Sequence, residues 1–179
     1  MPPVVVRFAG ANDLFALIEI EKAAAKAFLP YASRLNISPK LLEGLAPLKF
    51  LQQAQAERRL WVATYQERIV GFVAIEFLIE SCFIVELDVH PDFWRRGIGS
   101  ALVEACCLGA KARSFSKMTL TTFRLVPWNI PFYQQLGFKL LPSENWSREI
   151  WAIVQHEARY GFLCEKRAVM VRSLESNFK

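Results

Sequence analysis

At 179 residues the chain fits a single domain, 1–179, and 53% hydrophobic residues with fourteen Phe can bury a sizeable core, which argues against disorder. A net charge of +5, with pI near 9.2, suits an anionic ligand. No run of five or more basic residues marks a nucleic-acid surface.

The start, Met1-Pro-Pro-Val-Val-Val-Arg, lacks the basic start, longer apolar stretch and cleavage site of a signal peptide, so a cytoplasmic protein is expected. Residues 4–8 read as a short strand. Asn12 can then cap a helix whose apolar residues Leu14, Leu17, Ile18, Ala25 and Phe28 recur at helical spacing. Residues 29–36 carry turn formers. A second helix is expected over 38–57, bent or divided at Pro47 because proline lacks the N–H that a helix interior needs.

Residues 60–65 and 69–79, joined by the polar turn 66–68, have a hairpin signature, and 82–89 adds a third strand. Mean hydropathy is +0.20, yet Arg68, Glu76, Glu80 and Glu86 interrupt the most apolar region too often for a membrane span. Beyond 97, Ile98, Ala101, Leu102, Ala105, Cys106 and Gly109 hold helical spacing. A strand over 118–123 and a short helix over 130–136, stopped by Gly137, follow. Then come a strand over 138–141, a helix from Ser143 or Asn145 to about 160, and a closing strand over 168–173. Alternating periods of this kind predict an α/β (α+β) fold, a central sheet flanked by helices. The cysteines, at 82, 106, 107 and 164, form no CxxC pair and the histidines no HExxH, so neither a metal site nor a disulfide framework is expected.

The most informative segment is Val89-His-Pro-Asp-Phe-Trp-Arg-Arg-Gly-Ile-Gly-Ser-Ala101. A strand feeding through Arg-Arg-Gly-x-Gly into a helix N-terminus gathers unpaired amides, the positive end of the helix dipole and two cations. That combination suits a phosphate-bearing ligand; a bare helix entry is the alternative. A dinucleotide fingerprint would need glycine at Leu102, the GxxxxGK[ST] phosphate loop is absent, and Gly97-Ile-Gly-Ser100 is not a nucleophile elbow.

The strand, V-x-P-x-x-x-[RK]-[RK]-G-x-G-x-x-L and helix resemble the acetyl-CoA motif of the GCN5-related N-acetyltransferases (GNAT). Asn129-Ile-Pro-Phe-Tyr133-Gln-Gln-Leu136-Gly137-Phe138 resembles that family's second signature, Y-x-x-L-G-F. The resemblance covers roughly residues 4–173. It implies a GNAT fold, a mixed central sheet whose strands 4 and 5 splay apart around acetyl-CoA. Backbone amides of Arg95, Arg96, Gly97, Ile98, Gly99 and Ser100 would bind the CoA pyrophosphate. Leu87, Asp88 and Val89 would pair with the pantetheine arm, one N–H polarising the thioester carbonyl.

By the same resemblance, Tyr133 would protonate the departing thiolate and Asn129 would position the cofactor or the tyrosine loop. A tyrosine packed on the sheet and an N-cap asparagine are the plainer alternatives. Glu86 is the expected base, because an ammonium cannot attack. Glu86 and Asp88 lie two apart on one strand and so share a face unless a bulge intervenes, and a carboxylate paired with Arg95, Arg96 or Arg124 is the plainer alternative to a base. Two departures stand out. Trp94 occupies a position usually Gln or Arg, and Asn129 precedes the tyrosine by only four residues.

The implied activity is transfer of an acetyl group from acetyl-CoA to a primary amine of a small molecule or peptide, by direct attack. A non-catalytic acyl-CoA-binding module is the alternative. Trp128, Trp146 and Trp151 suggest a partly apolar or aromatic acceptor, though core packing explains them as well. Neither nucleic acid nor membrane is an expected partner. Homodimers are frequent in the family.

Overall fold

A computed structural model describes residues 3–42 and 44–175. Met1 and Pro2 of the start read above, and Glu43 within the helix expected over 38–57, lie outside them. The described residues contain seven strands in one mixed sheet, ordered β1-β2-β3-β4-β5-β7-β6. The strands are β1 (Val5–Phe8), β2 (Leu60–Tyr65), β3 (Arg68–Phe77), β4 (Cys82–Val89), β5 (Lys117–Phe123), β6 (Lys139–Leu140) and β7 (Arg167–Ser173). The helices are α1 (Leu14–Ala25), α2 (Ala32–Leu35), α3 (Pro39–Leu42), α4 (Leu48–Ala56), α5 (Ile98–Ala112), α6 (Asn129–Gln135) and α7 (Arg148–Arg159). By contact density the chain forms two compact units, one of residues 1–27, 43–76 and 84–109, the other of 28–42, 77–83 and 110–179.

In the first unit, β1, β2 and β3 form an antiparallel meander. Gln66 and Glu67 turn the β2–β3 hairpin with φ of 49° and 62°. Two successive left-handed residues match the strands' own twist, which is why two-residue hairpins adopt this turn. Leu14, Leu17 and Ile20 of α1 meet Leu51 and Ala54 of α4 over Leu60, Val62, Phe72 and Ala74 of the sheet. The expected split at Pro47 is present: its carbonyl accepts from Phe50 N (2.8 Å) and starts α4. Asn12 does not cap α1. Instead the Asp13 carboxylate folds back to accept from Gly10 N (2.7 Å) and pairs with Arg7 (2.6 Å), and a short 3-10 turn leads into α1.

Ile98, Leu102, Cys106 and Ala110, four apart, form the buried stripe of α5. Gly109 lets α5 approach β2 closely, since a Cβ there would stand 2.6 Å from the Trp61 ring.

In the second unit, β7 lies between β5 and β6, antiparallel to both. Leu120 faces Met170 in one register and Leu140 faces Met170 in the other. Ala32, Leu35, Ile37, Leu42, Phe123 and Val126 form a core with Phe28, Tyr31 and Phe162 packed on it. The expected start of α7 at Ser143 or Asn145 is only a 3-10 turn. Ser147 caps the helix, its hydroxyl accepting from Ile150 N at 3.2 Å. The strand expected over 138–141 shortens to two residues, Lys139–Leu140, and Phe138 before it is buried. Cys82, Cys106 and Cys107 are buried free thiols, while Cys164 is exposed.

Candidate active site

The sequence-predicted residues fall in two groups, one within each unit: Glu86, Leu87, Asp88, Val89 and Arg95 to Ser100 in the first, Asn129 and Tyr133 in the second.

In the first group, β4 ends at Val89, and His90 N donates to Val70 O of β3 (2.8 Å). Gly71 of β3 sits close beneath. A Cβ at Gly71 would stand 2.9 Å from the Asp88 carbonyl and 3.2 Å from a Leu102 methyl, so glycine permits this contact of β3, β4 and α5. Pro91–Phe93 then form a 3-10 turn, with Trp94 N donating to Pro91 O (3.1 Å). The Trp94 indole N–H reaches back to the Val89 carbonyl at 2.6 Å. Trp94 thus binds the turn to the strand end, a role the sequence did not disclose.

Arg95 (φ 57°) and Gly97 (φ 75°) are left-handed, and Arg96 between them is not. Alternating hands turn successive N–H groups toward one side, a concavity that binds anions. Holding Arg95 there costs about 1–3 kcal/mol, strain of a kind that collects at functional sites. The first helical bond of α5 runs from Ala101 N to Gly97 O (2.9 Å). The amides of Ile98, Gly99 and Ser100 therefore have no partner inside the helix. A Cβ at Gly97 would meet nothing within 4 Å, so the glycine faces open space. Arg95 and Arg96 are exposed, and the Arg96 guanidinium lies over Tyr65 and Phe93, 5.4 Å from each ring centre. Open backbone, unused amides and exposed cations fit a phosphate group.

On β4 itself, Glu86 is half-buried and Asp88 buried. Burial holds the Asp88 carboxyl well above the usual carboxylate range; the charges of Glu86 and Glu21 and a hydrogen bond with Glu86 push it the same way. Glu21 was not singled out in the sequence, although it falls seven residues after Leu14 on the buried stripe of α1.

In the second group, Asn129 is the first residue of α6 and is buried, with its N–H donating to Val126 O (3.2 Å). The N-cap position belongs to Trp128, so the capping alternative for Asn129 does not hold. Tyr133, half-buried, meets Phe132 and Phe138 edge-on, with ring centres 5.0 and 5.6 Å away. Its carbonyl accepts from Leu136 N and Phe138 N, both at 3.0 Å, and Gly137 turns the chain at φ 83°. Trp128 packs against Phe28 and Tyr31, and Trp146 against Trp151.

A family model described as an acetyltransferase (GNAT) domain matches residues 56–140. These residues are a GNAT acetyltransferase domain. They take in β2 to β6 with α5 and α6, hence both motifs. The family model's description gives the class of the matched residues, acetyltransferase.

Solved structures share the fold. The ribosomal-protein-S18-alanine N-acetyltransferase from Escherichia coli matches with TM-score 0.67 at 16% identity, covering 99% of this chain and 97% of that one. The PaiA N-acetyltransferase from Thermoplasma acidophilum, in complex with coenzyme A, gives 0.66 at 16%, covering 96% and 99%. N-acetylglutamate synthase from Neisseria gonorrhoeae, complexed with coenzyme A and N-acetyl-glutamate, gives 0.71 at 14%, covering 98% of this chain and 36% of that one. Among the described residues no cluster of three or more His, Cys, Asp or Glu could hold a metal ion, and no helix is long and apolar enough to cross a membrane.

Proposed function

We propose that residues 1–179 act as one N-acetyltransferase domain moving the acetyl group of acetyl-CoA to a primary amine of a small molecule or peptide by direct attack. The observation that carries this reading is the alternating turn at Arg95–Gly97 opening into the unpaired amides of α5. Those amides bind the pyrophosphate, and Arg95 and Arg96 neutralise its charge. Leu87 to Val89 pair with the pantetheine amides as a neighbouring strand would. One of their N–H groups stabilises the negative charge that develops on the thioester oxygen.

Glu86 takes the proton that the acceptor ammonium must lose before its nitrogen lone pair attacks the thioester carbon. As the C–S bond breaks, the Tyr133 hydroxyl gives its proton to the sulfur and its phenolate regains one from the nitrogen, which sheds its second proton on becoming an amide, leaving free CoA thiol and the N-acetyl product. Asn129, at the start of α6, orients the segment that carries Tyr133.

Release of CoA thiol against a panel of amines, amino acids, polyamines and peptide N-termini tests the reading. Turnover is expected, with Tyr133→Phe lowering kcat about 10²-fold or more while acetyl-CoA binding persists. CoA binding without turnover of any amine would favour an acyl-CoA-binding module. Absence of CoA binding would overturn both.

A further inference from the structure

Two cations of the first unit sit on one aromatic ring. The guanidinium of Arg68, at the start of β3, lies 5.9 Å from the centre of the Phe93 ring. That of Arg96 lies 5.4 Å from the same centre and 5.4 Å from the centre of Tyr65. Tyr65 ends β2 and meets Phe93 edge-on at 5.7 Å, and His90 meets Phe93 at 6.0 Å. Both Tyr65 and Phe93 are half-buried, whereas both arginines are exposed. The β2–β3 hairpin and the glycine turn thus meet at Phe93, and each brings one guanidinium to it.

Neither charge is neutralised. Among the described residues the carboxylates in ion pairs use other cations, and that of Asp92 faces His90 Nδ1 at 3.6 Å. Glu67, next to Arg68 in the turn, is exposed and does not pair with it. Arg96 donates to the Asp92 carbonyl over a long 3.4 Å, which leaves most of its fork open. Two like charges held on one ring by cation–π attraction repel each other, and an anion reached by both relieves that repulsion.

We propose that Arg68 and Arg96, held on Phe93 and Tyr65, bind the 3′-phosphate of acetyl-CoA and make the protein prefer CoA to 3′-dephospho-CoA. This rests on the reading of the protein as an acetyl-CoA-dependent transferase. It adds Arg68, which lies in neither of the chain's two motifs. The diphosphate of CoA offers two free oxygens on each phosphorus and suits a row of amides. The 3′-phosphate is a terminal monoester with three acceptor oxygens and nearly two charges, which suits paired guanidinium forks. Both groups hang from one ribose, so their subsites must adjoin. Arg96 belongs to the glycine turn and to the ring cluster at once, which meets that requirement.

Calorimetric titration of the whole protein with CoA and with 3′-dephospho-CoA tests the subsite. CoA is expected to bind about tenfold more tightly. Arg68→Gln alters an exposed side chain and should bring the two affinities within about twofold of each other. Lys49→Gln removes the same charge from an exposed position of α4 and should keep the preference. Equal affinities in the wild-type protein, a preference kept by Arg68→Gln, or one lost equally in Lys49→Gln would each overturn the subsite. Inorganic phosphate that displaced CoA at equimolar concentration would make this a site for free phosphate and overturn the assignment to CoA.

Thiol release across the amine panel is the separate check on acetyl transfer. A preference for CoA without thiol release would overturn transfer and leave the subsite standing. Thiol release with equal affinities would overturn the subsite alone, and absence of CoA binding would overturn both.

Discussion

The indole N–H of Trp94 donates to the carbonyl of Val89 at 2.6 Å, tying the phosphate-binding turn to the strand that precedes it. The motif this segment resembles usually has Gln or Arg at that position. Here the side chain acts on the protein's own backbone.

Trp94→Phe keeps the aromatic bulk and removes the donor. One hydrogen bond contributes about 1 kcal/mol, so the KM for acetyl-CoA should rise about fivefold. If the bond only orients the turn, kcat should be little changed. Initial rates at varied acetyl-CoA check both, and an unchanged KM would show that the turn holds itself.

Gly71→Ala should destabilise the protein by about 1–3 kcal/mol, since its methyl would press on the Asp88 carbonyl and Leu102 at once. Backbone atoms cannot step aside as a flexible side chain can. The check is urea denaturation. A variant as stable as wild type would mean that β3 and β4 separate freely here.

Asp88 has a folded-state pKa raised by burial and by its carboxylate neighbours. Between the unfolded value, about 4, and that raised value the folded state binds more protons, so stability falls as pH rises across the window. Asp88→Asn should remove this decline, gaining stability relative to wild type above about pH 4. Asp13, held low by its bond from Arg7, has the opposite sign. Its contribution is present above the unfolded value and is lost as pH falls through the folded one. Denaturation midpoints across pH test both, and parallel curves for wild type and Asp88→Asn would refute the assignment.

Arg167 donates to Glu157 at 2.9 and 3.0 Å and to the Thr121 hydroxyl at 2.8 Å, and its guanidinium lies over Phe123, 4.7 Å from the ring centre. Both charged side chains are largely buried. Arg167→Met strands the Glu157 carboxylate and should cost about 3 kcal/mol. Adding Glu157→Leu should restore most of it, because a paired apolar replacement leaves no buried charge. A double variant as unstable as the single one would place the contribution in the arginine's packing on Phe123 instead.

Much of this was legible in the sequence because it rests on local chemistry. β4 keeps its expected bounds, residues 82–89, since an apolar run closed by His90-Pro91 leaves little choice. The Arg-Arg-Gly turn and the start of α5 follow from glycine's access to positive φ and from the strict stripe beginning at Ile98. What depended on tertiary contact was not legible. Ser143, Asn145 and Ser147 are equivalent as candidate caps, and the choice of Ser147 is made by where Ile150 and Val154 are buried. Asp13 displaced Asn12 because Arg7, on the preceding strand, could reach it. Glu21 carried a readable sign, a glutamate on an apolar stripe, but its partner, the Ala46 N–H, lies 25 residues away.

The insertion of β7 between β5 and β6 bears on how the chain folds as it is made. β1 to β4 are complete once Val89 has been synthesised, so the meander of the first unit can pair while the rest is still emerging. β5 and β6 have no such freedom, since each finds its antiparallel partner only in residues 167–173. The edge of β5 that β7 covers stays open through synthesis of α6, β6 and α7, and that of β6 through α7, an interval in which unpaired strands invite aggregation. Slow elongation or stalling before Arg167 should therefore be hazardous to the second unit, and much less so to the first.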